Sequence, residues 1–433
     1  MSATRTFLLE LHCEEIPARF LRPLSAELAE QLAGFCRDRG LAFSTIGRHF
    51  SPRKLSWELS GLSATQPDQT ETQVGPPQRM CVGEDGQPTI QGLKFAEKWG
   101  VGFDQVRFEQ PAGKKEPCAS VTLTRPGRPT VDLLAEALPK LIAGLHVPKA
   151  MRWGSSEFEF VRPIRNLLCL FGEQVVPIEV DGVKATASTW GHRLHHREHP
   201  EAVPVPRPEA YEAALEQAGV VVSFAARRQR LAAQMDALAA AVGGCVVADE
   251  ELLDTLAEIV EFPTIVRGAF PAAFLDLPKE VLVTSLKEHQ KSFCIQGPDG
   301  RLLPFFLASA NRPLAPGSEA ERLVAAGNEW VLKARLYDAR FFFAEDRKAK
   351  LETRLEKLKA LTFQRDLGSY LEKTERIVAL SAILAPRLGL DRAAAEAAAR
   401  LCKADLRTLM VGEFPELQGI MGGEYLRHEG APE

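Results

Sequence analysis

No apolar run in this 433-residue chain approaches the roughly 20 residues needed to cross a bilayer, and acidic residues arrive too early at the N-terminus for a secretory segment. A soluble, cytoplasmic protein with no membrane partner is expected. Close cysteine pairs are also missing. The eight cysteines stand at 13, 36, 81, 118, 169, 245, 294 and 402, which predicts free thiols rather than a disulfide framework or a zinc site. There is little net charge: 53 Lys and Arg face 57 Asp and Glu, giving −4, so no bulk field announces nucleic acid or membrane. The signatures GxxxxGK, GxGxxG, GxSxG and HExxH are absent, and with them the usual marks of phosphate-cradling loops, serine hydrolases and zinc proteases. None of the nine histidines precedes an aspartate. The helical stretch where a His-Asp doublet would sit reads Lys403-Ala404-Asp405, and lysine does not replace a neutral imidazole ligand.

What is present is an ordinary folding composition, 45% hydrophobic and 25% charged, with length for about three domains. Residues 6–12 and 54–59 alternate like strands, and residues 21–35 carry apolar groups at helical spacing. Residues 61–92, rich in Gln, Pro, Gly, Asp and Thr, read as an exposed excursion or domain junction. A helix is expected over 131–145, followed by strands at 167–171, 175–180 and 185–190 with a tight turn at Asp181-Gly182. Four prolines between 199 and 210 argue against regular structure there. Further helices are expected after Ser223, over 249–261 and over 278–291, with a hairpin tipped by Asp299-Gly300. Beyond residue 316 the composition is almost wholly helical. The expected fold class is α+β: mixed α/β N-terminal modules followed by an all-helical domain. The expected boundaries are 1–65, 66–205 (with the excursion), 206–315 (with the hairpin) and 316–433.

Local charge is more informative than the total. Residues 404–433 hold six acids and two bases, so residues 1–403 are neutral in sum. In PKAMRWGSSEFEFVRPIR (148–165), Arg152, Trp153 and Arg162 combine guanidinium forks and planar groups suited to phosphates and unpaired bases. The alternative is that the aromatics are core and the arginines ion-paired. His192 and Arg193 open GHRLHHREHP, whose histidines either chelate a metal or form a solvated turn; the solvated turn is preferred. Arg227, Arg228 and Arg230 form another basic point. In 328–354, Lys333, Arg340 and Lys348 are placed to face a phosphate backbone, with Val331, Leu332, Leu336 and Phe343 inward and Arg335 paired to Asp338. His289, Gln290 and Lys291, before the hairpin, either line an interface or brace the fold. Glu14 and Glu15 read as structural acids paired to Arg19 or Arg53.

LLELHCEEIPAR, SPRKL, KAMRWG with FVRP, TWGHR, EFPTIV, HQKSF, GNEWVLKARLYDARFFFAEDRK, FQRDLGSYLEKTERI and KADLRTLMVGEFPELQGIMGGEY, collinear from residue 7 to 425, resemble the β subunit of the bacterial heterotetrameric glycyl-tRNA synthetase. His12-Cys13 departs from the Gly-Thr pair usual before the double glutamate. The resemblance implies an α2β2 class II synthetase. In it the α subunit binds ATP, magnesium and glycine, while the β subunit binds and presents tRNA(Gly) and holds no cofactor or metal of its own. It also implies that the helical domain is HD-like and that the chain is C-terminally truncated, without the family's anticodon-binding domain. A DNA partner is not expected. The rival readings are an architectural subunit that never touches RNA and a metal-dependent HD-type phosphohydrolase.

Overall fold

The computed structural model describes residues 3–84, 86–111 and 116–431. It divides into two compact units: Met1–Trp190 with Glu201–Ala214, and Gly191–Pro200 with Leu215–Glu433. The chain is α+β, with sheets in both units and a mainly helical region toward its end. No helix among the described residues is long and apolar enough to cross a membrane. All eight cysteines are free, and only Cys245 and Cys402 are exposed.

In the first unit the alternating segments form a seven-stranded sheet. Strand Thr4–Cys13 lies between Lys54–Ser63 and Ile164–Phe171, antiparallel to both. Thr45–Ser51 flanks Lys54–Ser63, and Val183–Thr186 runs parallel to Ile164–Phe171. The helix Ala18–Asp38 buries the stripe Leu21, Leu24, Leu28, Leu32 and Phe35, as its 3.6-residue spacing requires. The Trp57 indole N–H donates to the Ser25 carbonyl at 2.8 Å and pins that helix to the sheet. The second expected helix is Thr130–Ala143.

Three segments differ from expectation. Residues 175–180 are not one strand: Pro177 has no N–H for a ladder, and Gln174–Val175 and Glu179–Val180 pair separately. The Asp181-Gly182 turn between Glu179–Val180 and Val183–Thr186 does form, with φ of 52° and 76°, the left-handed pair a two-residue hairpin needs. Residues 61–92 are not wholly irregular, because Gln69–Pro77 pairs with Cys118–Arg125, which also carries Arg107–Glu109. The core beneath that small sheet holds Cys81, Phe95, Ala96, Val106, Ala119 and Val121. Prolines do not abolish pairing after residue 199 either: Val203–Pro204 bridges to Ser188–Thr189.

In the second unit a four-stranded antiparallel sheet has the order Cys245–Val246, Phe293–Gln296, Leu302–Asn311, Pro263–Ala269. Its two faces are both buried, and strict alternation sorts the side chains. Ile265, Phe293, Ile295 and Leu307 pack with the helices Phe224–Ala240 and Glu250–Ile259. Val266, Cys294, Phe306 and Ala308 pack with the long helix Glu319–Asp346 and the C-terminal segments. Ser223 caps the first of the two shorter helices as expected, and Asp249 caps the second, each side-chain oxygen accepting a backbone N–H of the first turn. Residues 278–291 are helical only in part: Lys279–Thr284 passes into a π turn at Ser285–His289, and Lys291 then takes φ 48°. The helical end is interrupted by a small hairpin, Thr362–Gln364 with Gly368–Ser369.

Two buried carboxylates organise the C-terminal helices. The Asp405 Oδ2 accepts the Gly419 and Gly422 N–H groups, while Oδ1 is buried without a partner. Burial pushes this carboxyl above its usual 3.8, outweighing those two donors. The native state therefore keeps a proton that the unfolded chain has already lost. The group's contribution to stability falls as pH rises from 3.8 through its folded value. Asp405→Asn, which cannot ionise, is expected to gain on the wild type across that window. Urea unfolding just above pH 3.8 and at neutrality checks this; a difference between the two proteins that is independent of pH contradicts it.

Candidate functional site

The aromatic and basic stretch 148–165 folds into a bridged loop in the first unit, with Met151 paired to Phe160. Phe160 is buried, and Phe158 lies between it and Trp153, with ring centroids 6.1 and 6.0 Å away. Arg152 is ion-paired: its Nη2 lies 2.6 Å from Glu159 Oε1 and its Nε 2.8 Å from the same oxygen. Arg162 donates to the Val161 carbonyl at 2.7 Å. At this loop the ion-paired alternative describes Arg152 and Phe160, while Trp153 is half-buried. Nearby, Glu14 Oε1 meets Arg165 Nε at 3.6 Å, a pairing the sequence reading did not anticipate. Glu15 is exposed, and Arg53 is half-buried.

The histidine turn belongs to the second unit. His192 is buried and its Nδ1 accepts the Leu194 N–H at 3.2 Å, capping the short helix Arg193–Glu198; Arg193 is exposed. The rings of His195 and His199 lie 4.6 Å apart. Burial and then His199 hold the His195 imidazole below its ordinary pKa. A cavity of about 340 Å³ is lined by His192, His195, Glu198, Glu216, Phe262 and Arg312. Among the described residues, no group of three or more His, Cys, Asp or Glu is placed to hold a metal ion.

The expected basic point at 227–230 does not exist as a surface. Arg227 is fully buried, donating to the carbonyls of Ala257, Val221 and Val222 at 2.7, 2.7 and 2.8 Å, and burial lowers its pKa to about 10. Arg228 pairs with Asp254 at 2.7 Å, and Arg230 with Glu216 at 2.6 Å. A helical pattern of basic residues did not reveal that one of them satisfies two carbonyls of the preceding loop and one near the end of the helix Glu250–Ile259.

On the long helix Glu319–Asp346, Leu332, Leu336 and Phe343 are buried as expected. Val331 is not; it is 41% exposed, because the inward stripe falls at 332, 336, 339 and 343, about 100° away. Arg335 and Asp338 form no ion pair among the described residues. Lys333 lies 5.9 Å over the Tyr337 ring, and Arg340 lies 4.9 Å over Tyr337 and 5.1 Å over Phe274. Trp330, which the sequence reading passed over, is 75% exposed and borders a groove of about 400 Å³ with Phe270, Pro271, Ala326, Glu329 and Lys333. In the same unit His289 is exposed with its ring 5.4 Å from Phe414, Gln290 donates to the Asn328 carbonyl at 3.3 Å, and Lys291 reaches Glu288 at 3.4 Å.

Sequence reasoning also missed a polar cluster in the first unit. Lys54, fully buried, places its Nζ 2.8 Å from His12 Nδ1, 2.9 Å from Thr189 Oγ1 and 3.3 Å from Glu10 Oε1. The hydroxyls of Thr189 and Tyr211 donate to the two oxygens of Glu10. Every member is buried, so the cluster braces the sheet and is closed to a substrate.

Comparison with known proteins supplies the deciding observation. The family model described as "Glycyl-tRNA synthetase beta subunit" matches residues 7–433. The chain belongs to that family. It is 42% identical to the glycine–tRNA ligase β subunit of Desulforudis audaxviator over 98% of its length. It is 39% identical to that of Trichlorobacter lovleyi over 99%, and 38% identical to that of Marinobacter nauticus over its whole length. In each case it covers 61% of the relative, so the chain spans about three fifths of the curated relatives it matches. Within this synthetase β-subunit member, the residues singled out from sequence fall at separate places: a loop in the first unit, and in the second a capped turn, a π-turn segment and the face of one long helix.

Proposed function

We propose that the chain is the tRNA-handling β subunit of a class II, α2β2 glycyl-tRNA synthetase, working in the cytoplasm with no membrane or DNA partner. The observation that carries the reading is the family match across residues 7–433. In this reading the α subunit binds ATP, magnesium and glycine and carries out activation and transfer. This chain holds none of these; it offers shape and positive charge to tRNA(Gly). The closed state of the Glu10–Lys54 cluster supports it, since its ionisable groups are committed to the fold. Burial also raises the thiols of Cys36 and Cys294, to about 11 and about 12, where they are poor nucleophiles at neutral pH.

Arg152, Arg162 and the exposed Arg193 are the RNA handles this reading uses. Titrating labelled tRNA(Gly) with the chain is expected to give an affinity that falls steeply with salt, its log–log slope growing by about 0.9 per phosphate contacted. Arg162→Glu together with Arg193→Glu is expected to weaken binding about tenfold at fixed salt and to flatten that slope. A second reading, an architectural subunit without RNA contact, draws on the Arg152–Glu159 ion pair and the Arg162–Val161 bond, which occupy two of the proposed handles. Salt-independent or undetectable tRNA binding decides for it.

A further inference from the structure

Toward the end of the chain, a helical hairpin buries its small side chains and leaves its large ones in water. Its helices Tyr370–Arg387 and Arg392–Leu401 pack on one another, and the side chains they bury are Thr374, Ala385 and Ala399. Leu380, Ile383, Leu384 and Leu388 stand at i, i+3, i+4 and i+8, one face of the first helix running into its C-cap, and they are 57, 54, 49 and 70% exposed. Leu390, in the turn, is 58% exposed, and Ala394, Ala397 and Ala398 of the second helix are exposed as well. A single exposed leucine is ordinary, but five large aliphatic groups between residues 380 and 390 have the composition of a core.

We propose that this face is the open side of a helical core, and that its occupant is the polypeptide which the curated relatives carry beyond the part matched here, an assignment that rests on the family match and not on the tRNA-handling reading. The chain spans 61% of those relatives, so about two fifths of their length has no counterpart in it. Position points the same way. The last described helix, Ile420–His428, packs on the 3-10 segments Leu351–Ala360 and Ala404–Arg407, and the hairpin packs on the same two segments. The Glu429 carboxylate, just after that helix, accepts the Leu351 N–H at 2.8 Å and fixes the end of the chain there. Polypeptide continuing from it starts beside the hairpin. Its complement is a helix with an aliphatic face, whose side chains seat between Leu380, Leu384 and Leu388 while the alanines allow close approach. An RNA strand stacks its bases on rings, and Leu380–Leu390 has none.

The test is hydrogen–deuterium exchange, read by mass spectrometry, on this chain and on an extended chain that carries the remainder of the Desulforudis audaxviator subunit after residue 433. Amides of Leu380–Leu390 are expected to exchange at least ~10-fold more slowly in the extended chain. Leu380→Ser with Leu384→Ser is expected to restore fast exchange there, yet to leave the urea midpoint of the 433-residue chain unmoved, because in it both side chains already face water. The unaltered full-length Desulforudis subunit guards against a junction that does not fold, and its matching hairpin is expected to show the same protection. Equal exchange in this chain and in the full-length subunit overturns the assignment. Protection that this chain gains with its own concentration also overturns it and gives the face to a second copy, and protection that appears only on adding a separate α subunit overturns it in favour of that partner. Loss of tRNA(Gly) binding, by contrast, bears on the tRNA-handling reading alone.

Discussion

Asp346→Ala is expected to lower stability by about 4–5 kcal/mol. Asp346 ends the long helix almost fully buried. Its Oδ1 accepts the Leu409 N–H at 2.9 Å and faces Arg354 Nη2 at 3.0 Å. Its Oδ2 accepts the Met410 N–H and the Tyr425 hydroxyl, both at 2.9 Å. Arg354 is held in turn by the carbonyls of Arg407 and Asp346. Removing the carboxylate strands a buried guanidinium, two backbone donors and a phenol at once. Asp346→Asn keeps acceptor capacity but loses the charge, so a smaller loss is expected. The midpoints of urea unfolding order the three proteins, and equal midpoints for Ala and wild type would rule out the network as a brace.

Lys54→Met is expected to cost about 3–5 kcal/mol in the first unit. His12 and Lys54 are cross-strand partners, and Glu10 projects from the same face of its strand two residues earlier. Without the ammonium, the Glu10 carboxylate stays buried with only the hydroxyls of Thr189 and Tyr211 as donors. Replacing both members by apolar groups of similar size is expected to be milder than the single change, because no uncompensated charge then remains. A double-mutant cycle with Glu10→Met reads this directly. Additive losses would mean that the two charges do not stabilise one another.

These two networks also mark where the sequence stops being legible. Alternation in TFLLELH and KLSWEL predicts both strands, and residue spacing finds the stripes of Ala18–Asp38 and Thr130–Ala143. Such patterns are local. They do not say that the polar face at Glu10 and Lys54 is covered by Thr189 and Tyr211, which come from 135 and 201 residues away in their pairings. The same limit applies to the basic runs. Arg152 is ion-paired to a carboxylate seven residues on, and Arg227 is held by two nearby carbonyls and one 30 residues away, while Lys333 and Arg340 are exposed. The heptad spacing of Leu323, Trp330 and Tyr337 was readable in advance. The inward stripe was readable as well, at Leu332, Leu336 and Phe343, and only Val331 was misplaced. The motifs of the resemblance carried the family, and physical pattern carried the elements.

The central claim is that activation chemistry lies on another chain. Glycine-dependent ATP–pyrophosphate exchange by the purified chain measures it most directly. The account predicts no exchange from the chain alone at any glycine or magnesium concentration, whereas turnover that depends on glycine and tracks the chain through purification would contradict it.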